Sequence, residues 1–452
     1  MKNLKLVFII LAVIPFRVAA QSAWSLKTCI DYGLKNNRTN LIYANEKKAA
    51  DARAKEVLAA YLPSLGINGT MDDNLKVQQT VIPAGVLGPE DVRVAFTKRF
   101  NTNLIARIDQ TIYDQSLLTG LKANKYNKQQ AVLDQQQNEE VIIYNVSTAF
   151  AQIFVYREQL YMLRSTSETY RKQMGITALK IKKGTVLQKD LDKVTVDYNN
   201  EQSQISVAES NLTLSENQLK YEMGYPIDNA LVLDSTATMG MFTPALPFAG
   251  SDRSFAATNR AEFQISQVNT KLLEIEESRI KAGVLPRLSA YAQYGTIGYG
   301  DQLKQSFSTT APYSAIGIKL TFPLFDFFKR NAQREQAMYK RINAQENLKI
   351  DENRYRMEYE NSRTKIVKEQ SNVDNSRRNI ELARSVFRTT DFQYTKGTTD
   401  LTDWLNAQNS LKEAQRNYLN ALLTYFQARI DLEKASGTLY AFYKGLSSAN
   451  EN

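Results

Sequence analysis

The chain has 452 residues, with 57 Lys and Arg against 47 Asp and Glu, and a formal net charge of +10. One cysteine and no histidine exclude disulfide frameworks, the usual zinc ligand sets, His-ligated haem and Ser/His or Cys/His catalytic pairs. Only 19 Gly and 10 Pro punctuate it, so long uninterrupted elements are expected; its Lys and Arg alternate with acids and amides, as on solvated helix faces rather than a nucleic-acid surface.

Lys2 and Lys5, an apolar run over 6–16 and the small residues Val18-Ala19-Ala20 read as a secretory signal peptide over 1–20, cleaved near Ala20, with Arg17 an unusual member. The apolar run is too short to span a bilayer, and no later segment reaches eighteen apolar residues. Membrane strands stay open, because their alternation is a weaker signal. A helical stretch is expected from Trp24 to about Ala60, ended by Pro63. The period then changes to two. Leu65, Ile67, Gly69 and Met71 alternate with polar or small residues, a polar loop holds Pro83, Gly85, Gly88 and Pro89, and Leu104, Ala106, Ile108 and Ile112 alternate with Arg107, Asp109 and Thr111.

Helical spacing returns at Asp114 and holds to about Met174, with Val146, Ile153, Leu160 and Met174 on one seven-residue row. Gly184 breaks the run; Leu191, Tyr198, Ile205, Leu212 and Leu219 resume the step until Gly224 and Pro226. After a connecting strap over 225–252 the order repeats. A helix leads to Leu285-Pro286, two strands follow with Leu288 to Tyr294 and Ile316 to Leu324 alternating, and a loop over 301–310 joins them. Asp326, like Asp114, closes a strand and opens a helix, on which Tyr359, Ile366, Val373, Ile380 and Phe387 form a row. GTIGYG at 295–300 leads into no helix and is assigned to a strand end. Beyond Gly397, Trp404, Leu411, Tyr418, Tyr425 and Leu432 keep the seven-residue step, beside a small row of Ala407, Ala414, Ala421 and Ala428. Adding 213 carries Gly184 to Gly397, Leu191 to Trp404 and Gly224 to Gly437. The chain is therefore read as a tandem repeat, 21–224 and 253–439, with a tail over 440–452.

Four amphipathic strands cannot close a barrel alone, and open edges cannot face lipid, so copies must share one: two copies give eight strands, three give twelve. The polar face with Arg107, Asp109 and Lys319 suits a wet lumen, and the Ile/Leu/Phe face suits lipid. The fold class expected is an α+β membrane protein of strand pairs and long α-helical hairpins.

Several stretches carry a resemblance: WSLKTCIDYGLKNN at 24–37, LPSL at 62–65, LPRL at 285–288, KGTVLQKD at 183–190, KGTTDLTDWLNAQNSL at 396–411 and ASGTL at 435–439. In their order and duplicate spacing they resemble the TolC-type outer-membrane efflux proteins. The resemblance implies a homotrimer with a twelve-stranded β-barrel in outer-membrane lipid, continued by a helical coiled-coil cylinder in the periplasm. Such a duct is passive, energised by an inner-membrane pump through a periplasmic adaptor (membrane fusion protein). The resemblance also implies an acidic periplasmic aperture at Asp403, with Asp400 compensating for Asn406 where a second acid often stands. It further implies a hydrogen-bond lock between Tyr394 and Asp190, with Thr399 in place of an arginine, and adaptor contact at Gly184 and Gly397. Helix capping also accounts for Asp400 and Asp403. No catalytic residue, cofactor, metal or nucleic-acid partner is expected. The competing reading is a periplasmic coiled-coil adaptor or scaffold without a membrane barrel.

Overall fold

The structure, a computed structural model, describes residues 23–86, 88–234 and 255–446. The signal-peptide segment, most of the strap and the end of the tail lie outside the described residues. The chain divides into two compact units: 1–40 with 139–256 and 356–452, and 41–138 with 257–355.

The second unit is built on a four-stranded antiparallel sheet of β1 (Ser64–Asp73), β4 (Phe100–Tyr113), β5 (Arg287–Gly300) and β6 (Thr310–Thr321), in that order. Period-two alternation gives it two unlike faces. Register pairs Ser64 with Asp109, Arg107 with Gln293 and Ser289 with Lys319 on one face. On the other it pairs Leu65 with Ile108, Ile108 with Ala292 and Ala290 with Ile318. The apolar face has no cover within the described chain: Ile67 is 70% and Ile316 87% exposed. β1 and β6 each pair on one side only, leaving two open edges. Two glycines admit tyrosines flat against the polar face, since a Cβ at Gly317 would meet the Tyr291 ring and one at Gly295 the Tyr313 ring, each under 3 Å away.

Asp114 ends β4 and accepts the Leu117 N–H, so it caps α3 (Gln115–Leu121) as expected. α4 (Ala123–Lys182) follows, and α3 packs on α6 (Ala261–Ala282) through Ser116, whose hydroxyl donates to the Arg279 carbonyl.

The structure corrects five local expectations. The stretch over 24–60 is two helices, α1 (Leu26–Asn36) and α2 (Arg38–Ala59), because Asn37 leaves the helical region and its amide donates to the Glu222 carbonyl at 2.7 Å. The polar loop after β1 contains a hairpin, β2 (Thr80–Ile82) with β3 (Val92–Val94), too short to show alternation. A short α7 (Leu303–Ser308) occupies the 301–310 loop. The helical run expected from Asp114 to about Met174 is α3 followed by α4, and α4 runs eight residues past Met174, to Lys182, because its stop is Gly184. Asp326 does not close a strand: β6 ends at Thr321. Phe327 and Phe328, at φ 49° and 67°, make the turn before α8 (Lys329–Lys396), and Asp326 pairs with Arg330 at 3.0 Å.

The first unit holds α1, α5 (Gln188–Met223), α9 (Leu401–Ser436), α10 (Leu439–Gly445) and the later parts of α4 and α8. Each of α5 and α9 has 36 residues, and their bounds differ by 213 at both ends. Gly224 and Gly437 close them with φ of 67° and 69°, a left-handed C-cap that glycine adopts without Cβ strain. The expected α4 and α8 rows are buried at Val146, Ile153 and Leu160 and at Tyr359, Ile366, Val373 and Ile380. On α9 both rows face inward. On α5 the bulky row is only half-buried except at Leu219, and the seven-residue row placed deepest is Val194, Glu201, Ala208 and Ser215. Under the 213 shift that row falls on Ala407, Ala414, Ala421 and Ala428. Short side chains there let neighbouring helices approach, so the small row sets the seam.

Candidate functional site

The two hairpin turns lie in the first unit and share a backbone solution. Gly184 and Gly397 adopt φ of 73° and 79°. In each turn the following threonine donates both its N–H and its hydroxyl back to the carbonyl five residues earlier, Lys180 in one and Gln393 in the other. A Cβ at either glycine would meet nothing within 4 Å, so the positive φ alone calls for glycine.

Their side chains differ. In the second turn Asp400 is the N-cap of α9, accepting the Asp403 N–H at 2.9 Å, and Asp403 accepts the Thr399 hydroxyl at 2.7 Å. Both carboxylates are exposed, as is Asn406 one turn on. In the first turn Leu187 has no capping oxygen; the Asp190 carboxylate reaches back to its N–H at 3.3 Å.

Tyr394 and Asp190 are not brought together. Tyr394 is 2% exposed in a small core with Tyr170, Val194, Leu401 and Trp404, and its hydroxyl has no hydrogen-bond partner among the described residues. Its tie to the first hairpin comes from Lys180, whose ammonium donates to the Tyr394 carbonyl at 2.9 Å and stands 3.7 Å from the ring centroid. Burial holds the Lys180 pKa below its ordinary value. Trp404, fully buried, anchors this core edge-to-face against Tyr170 and Phe387 and donates its indole N–H to Asp391 at 2.8 Å.

A second tie joins α5 to α9. Glu201 is 0% exposed and accepts from the Lys412 ammonium at 2.6 Å, while its other oxygen has no partner among the described residues. Desolvation pushes the Glu201 pKa up, and the bond to Lys412 only partly opposes it. Lys412 also lies 5.7 Å from the Tyr170 ring, and burial raises that phenol. Sequence reasoning missed Lys180, Glu201 and Lys412. Glu201 had a usable signal, a carboxylate on the row that the 213 shift aligns with alanines; Lys180 had none.

On the sheet, Arg107 bridges Asp109 at 2.9 Å, donates to Gln293 and stacks 4.4 Å from the Tyr291 centroid, while Lys319 sits on the same face.

Residues 257–438 match the Outer membrane efflux protein family. Over 411 residues, the chain is 21% identical to the outer membrane protein TolC of Salmonella enteritidis, covering 88% of this chain and 78% of that protein. The chain is similar to TolC-type outer-membrane efflux proteins, through this family match and over most of its length. TolC of Escherichia coli is 21% identical over 348 residues, covering 75% of this chain and 70% of that protein. The crystal structure of the outer membrane protein VceC of Vibrio cholerae superposes with a TM-score of 0.72 at 15% identity, covering 91% of this chain and 96% of that one. The proteins it resembles are outer-membrane efflux and channel proteins.

Proposed function

We propose that the chain is the exit duct of a multi-component efflux or type I-like secretion system. In this reading, three copies close a twelve-stranded barrel whose strands come from β1, β4, β5 and β6 of each. The observation that carries the proposal is the sheet itself, with two open edges, an uncovered apolar face and a polar face bearing Arg107, Asp109 and Lys319. Open edges are costly in lipid and an exposed apolar face is costly in water, and pairing of copies edge to edge in a membrane removes both costs. Two such sheets would leave an interior filled by side chains, whereas three leave room for a passage.

The two repeats, 21–224 and 253–439, then supply a helical cylinder in the periplasm, joined by the strap over 225–252 and followed by the tail over 440–452. The segment over 1–20 serves as the cleaved signal peptide. Asp403, Asp400 and Asn406 of three copies form the aperture, and the turns at Gly184 and Gly397 meet a periplasmic adaptor that connects the duct to an inner-membrane pump. Lys180 on Tyr394 and the Glu201–Lys412 pair hold the two hairpins together in the closed duct, in the role that the resemblance implies for Tyr394 and Asp190.

The test is the mass of the purified, detergent-solubilised chain together with its activity in planar bilayers. Three chains per particle and discrete ionic conductance are expected. A monomer that stays soluble without detergent would instead fit a periplasmic scaffold.

A further inference from the structure

Within the second unit, a cavity of about 650 Å³ opens where β5 and β6 meet α6 and α8. Five cations line it, Arg279, Arg287, Lys329, Arg330 and Lys340, against the two carboxylates Glu276 and Asp326. The guanidinium groups are held in place. Arg279 forks onto Glu276 at 2.7 and 2.8 Å, Arg330 meets Asp326 at 3.0 Å, and Arg287 reaches Asp114 at 3.4 Å. Lys329 and Lys340 make no ion pair among the described residues, so the cavity keeps an uncompensated positive charge.

Its orientation follows from the register. Arg287 and Thr321 are cross-strand partners, on the face that carries Ser289, Tyr291, Gln293 and Lys319. The cavity therefore adjoins the polar face of the sheet, not the apolar face. Guanidinium groups anchored by carboxylates, beside two exposed ammonium groups, suit an oxyanion, since the N–H donors they keep free can bond it and the lysines supply charge.

We propose that this cavity is a docking site for soluble anions carrying phosphate or carboxylate groups. It would raise their local concentration on the polar face and favour anionic cargo at this level of the passage. The inference rests on the duct reading, with the polar face as lumen. A headgroup of an anionic lipid offers the same phosphate chemistry, but would have to enter from the apolar side.

The test records single-channel currents of the full chain in bilayers of neutral phosphatidylcholine, with inorganic pyrophosphate added to the bath. The wild type should show a reversible, saturable fall in current. Lys329 and Lys340 are both exposed, so K329E with K340E should fold, and should need on the order of tenfold more pyrophosphate for the same fall, as expected when two charges near an anion are inverted. If no channels form, the duct reading fails. If channels form and pyrophosphate has no effect, or acts equally on the variant, this inference alone is overturned. A parallel arm measures retention of phosphatidylglycerol by the detergent-solubilised protein; lysine-dependent retention without a pyrophosphate effect would assign the cavity to lipid and overturn the proposal.

Discussion

The two hairpin turns have nearly the same backbone and different side-chain duties. Both turn at a glycine with φ above 70°, both return a threonine to the carbonyl five residues back, and both lead into a 36-residue helix closed by another left-handed glycine. Yet Tyr394 stands where the first repeat has Ile181, Trp404 where it has Leu191, and Asp400 where it has Leu187. The second turn supplies an aromatic core and a carbonyl; the first supplies the lysine that reaches it. The two turns thus keep what the main chain needs, while their side chains make the two hairpins complementary. The small seam repeats the lesson, because Glu201 replaces what is Ala414 in the other copy and so creates a partner for Lys412.

The largest effect should come from breaking that asymmetry in the seam. Lys412→Met leaves the buried Glu201 carboxylate without its cation and should cost about 3 kcal/mol, read as a fall in thermal stability by circular dichroism. Adding Glu201→Leu should recover most of the loss, since an apolar pair of similar volume carries no desolvation cost. Equal losses in the single and double variants would show that the pair is not coupled.

Shared backbone demands equal sensitivity. Gly184→Ala and Gly397→Ala should each cost about 1–2 kcal/mol, because a Cβ is disfavoured at positive φ while the space around both glycines is open. A marked inequality in their melting points would mean that the turns are not equivalent. The caps should differ more modestly. Asp400→Ala removes the acceptor of the Asp403 N–H and should cost about 1 kcal/mol, whereas Leu187→Ala should change little because Asp190 serves that turn.

Much of this architecture could be read before any coordinates. Strict seven-residue rows and paired glycines fix helix ends because glycine alone takes a left-handed C-cap cheaply, and the period-two runs placed Arg107, Asp109 and Lys319 on one face as the register has them. What escaped was set by tertiary context. A three-residue strand such as β2 leaves no periodicity, and Asp326 resembles Asp114 in sequence although two phenylalanines make its turn. The bulky row of α5 drew the eye because hydrophobicity is visible in sequence, whereas the deeper row is chosen by how closely helices can approach. Tyr394 and Asp190 were paired by resemblance, but Asp190 is taken up by its own turn, and a lysine with no distinguishing spacing makes the contact.

The most direct test of the account is the single-channel conductance of Lys180→Met beside Gln393→Met, its counterpart 213 residues on. Lys180 ties the two hairpins, while Gln393 is an exposed side chain that makes no such tie. A several-fold rise in conductance is expected for Lys180→Met, with Gln393→Met at the wild-type level. Wild-type conductance in both, or the same rise in both, would contradict it.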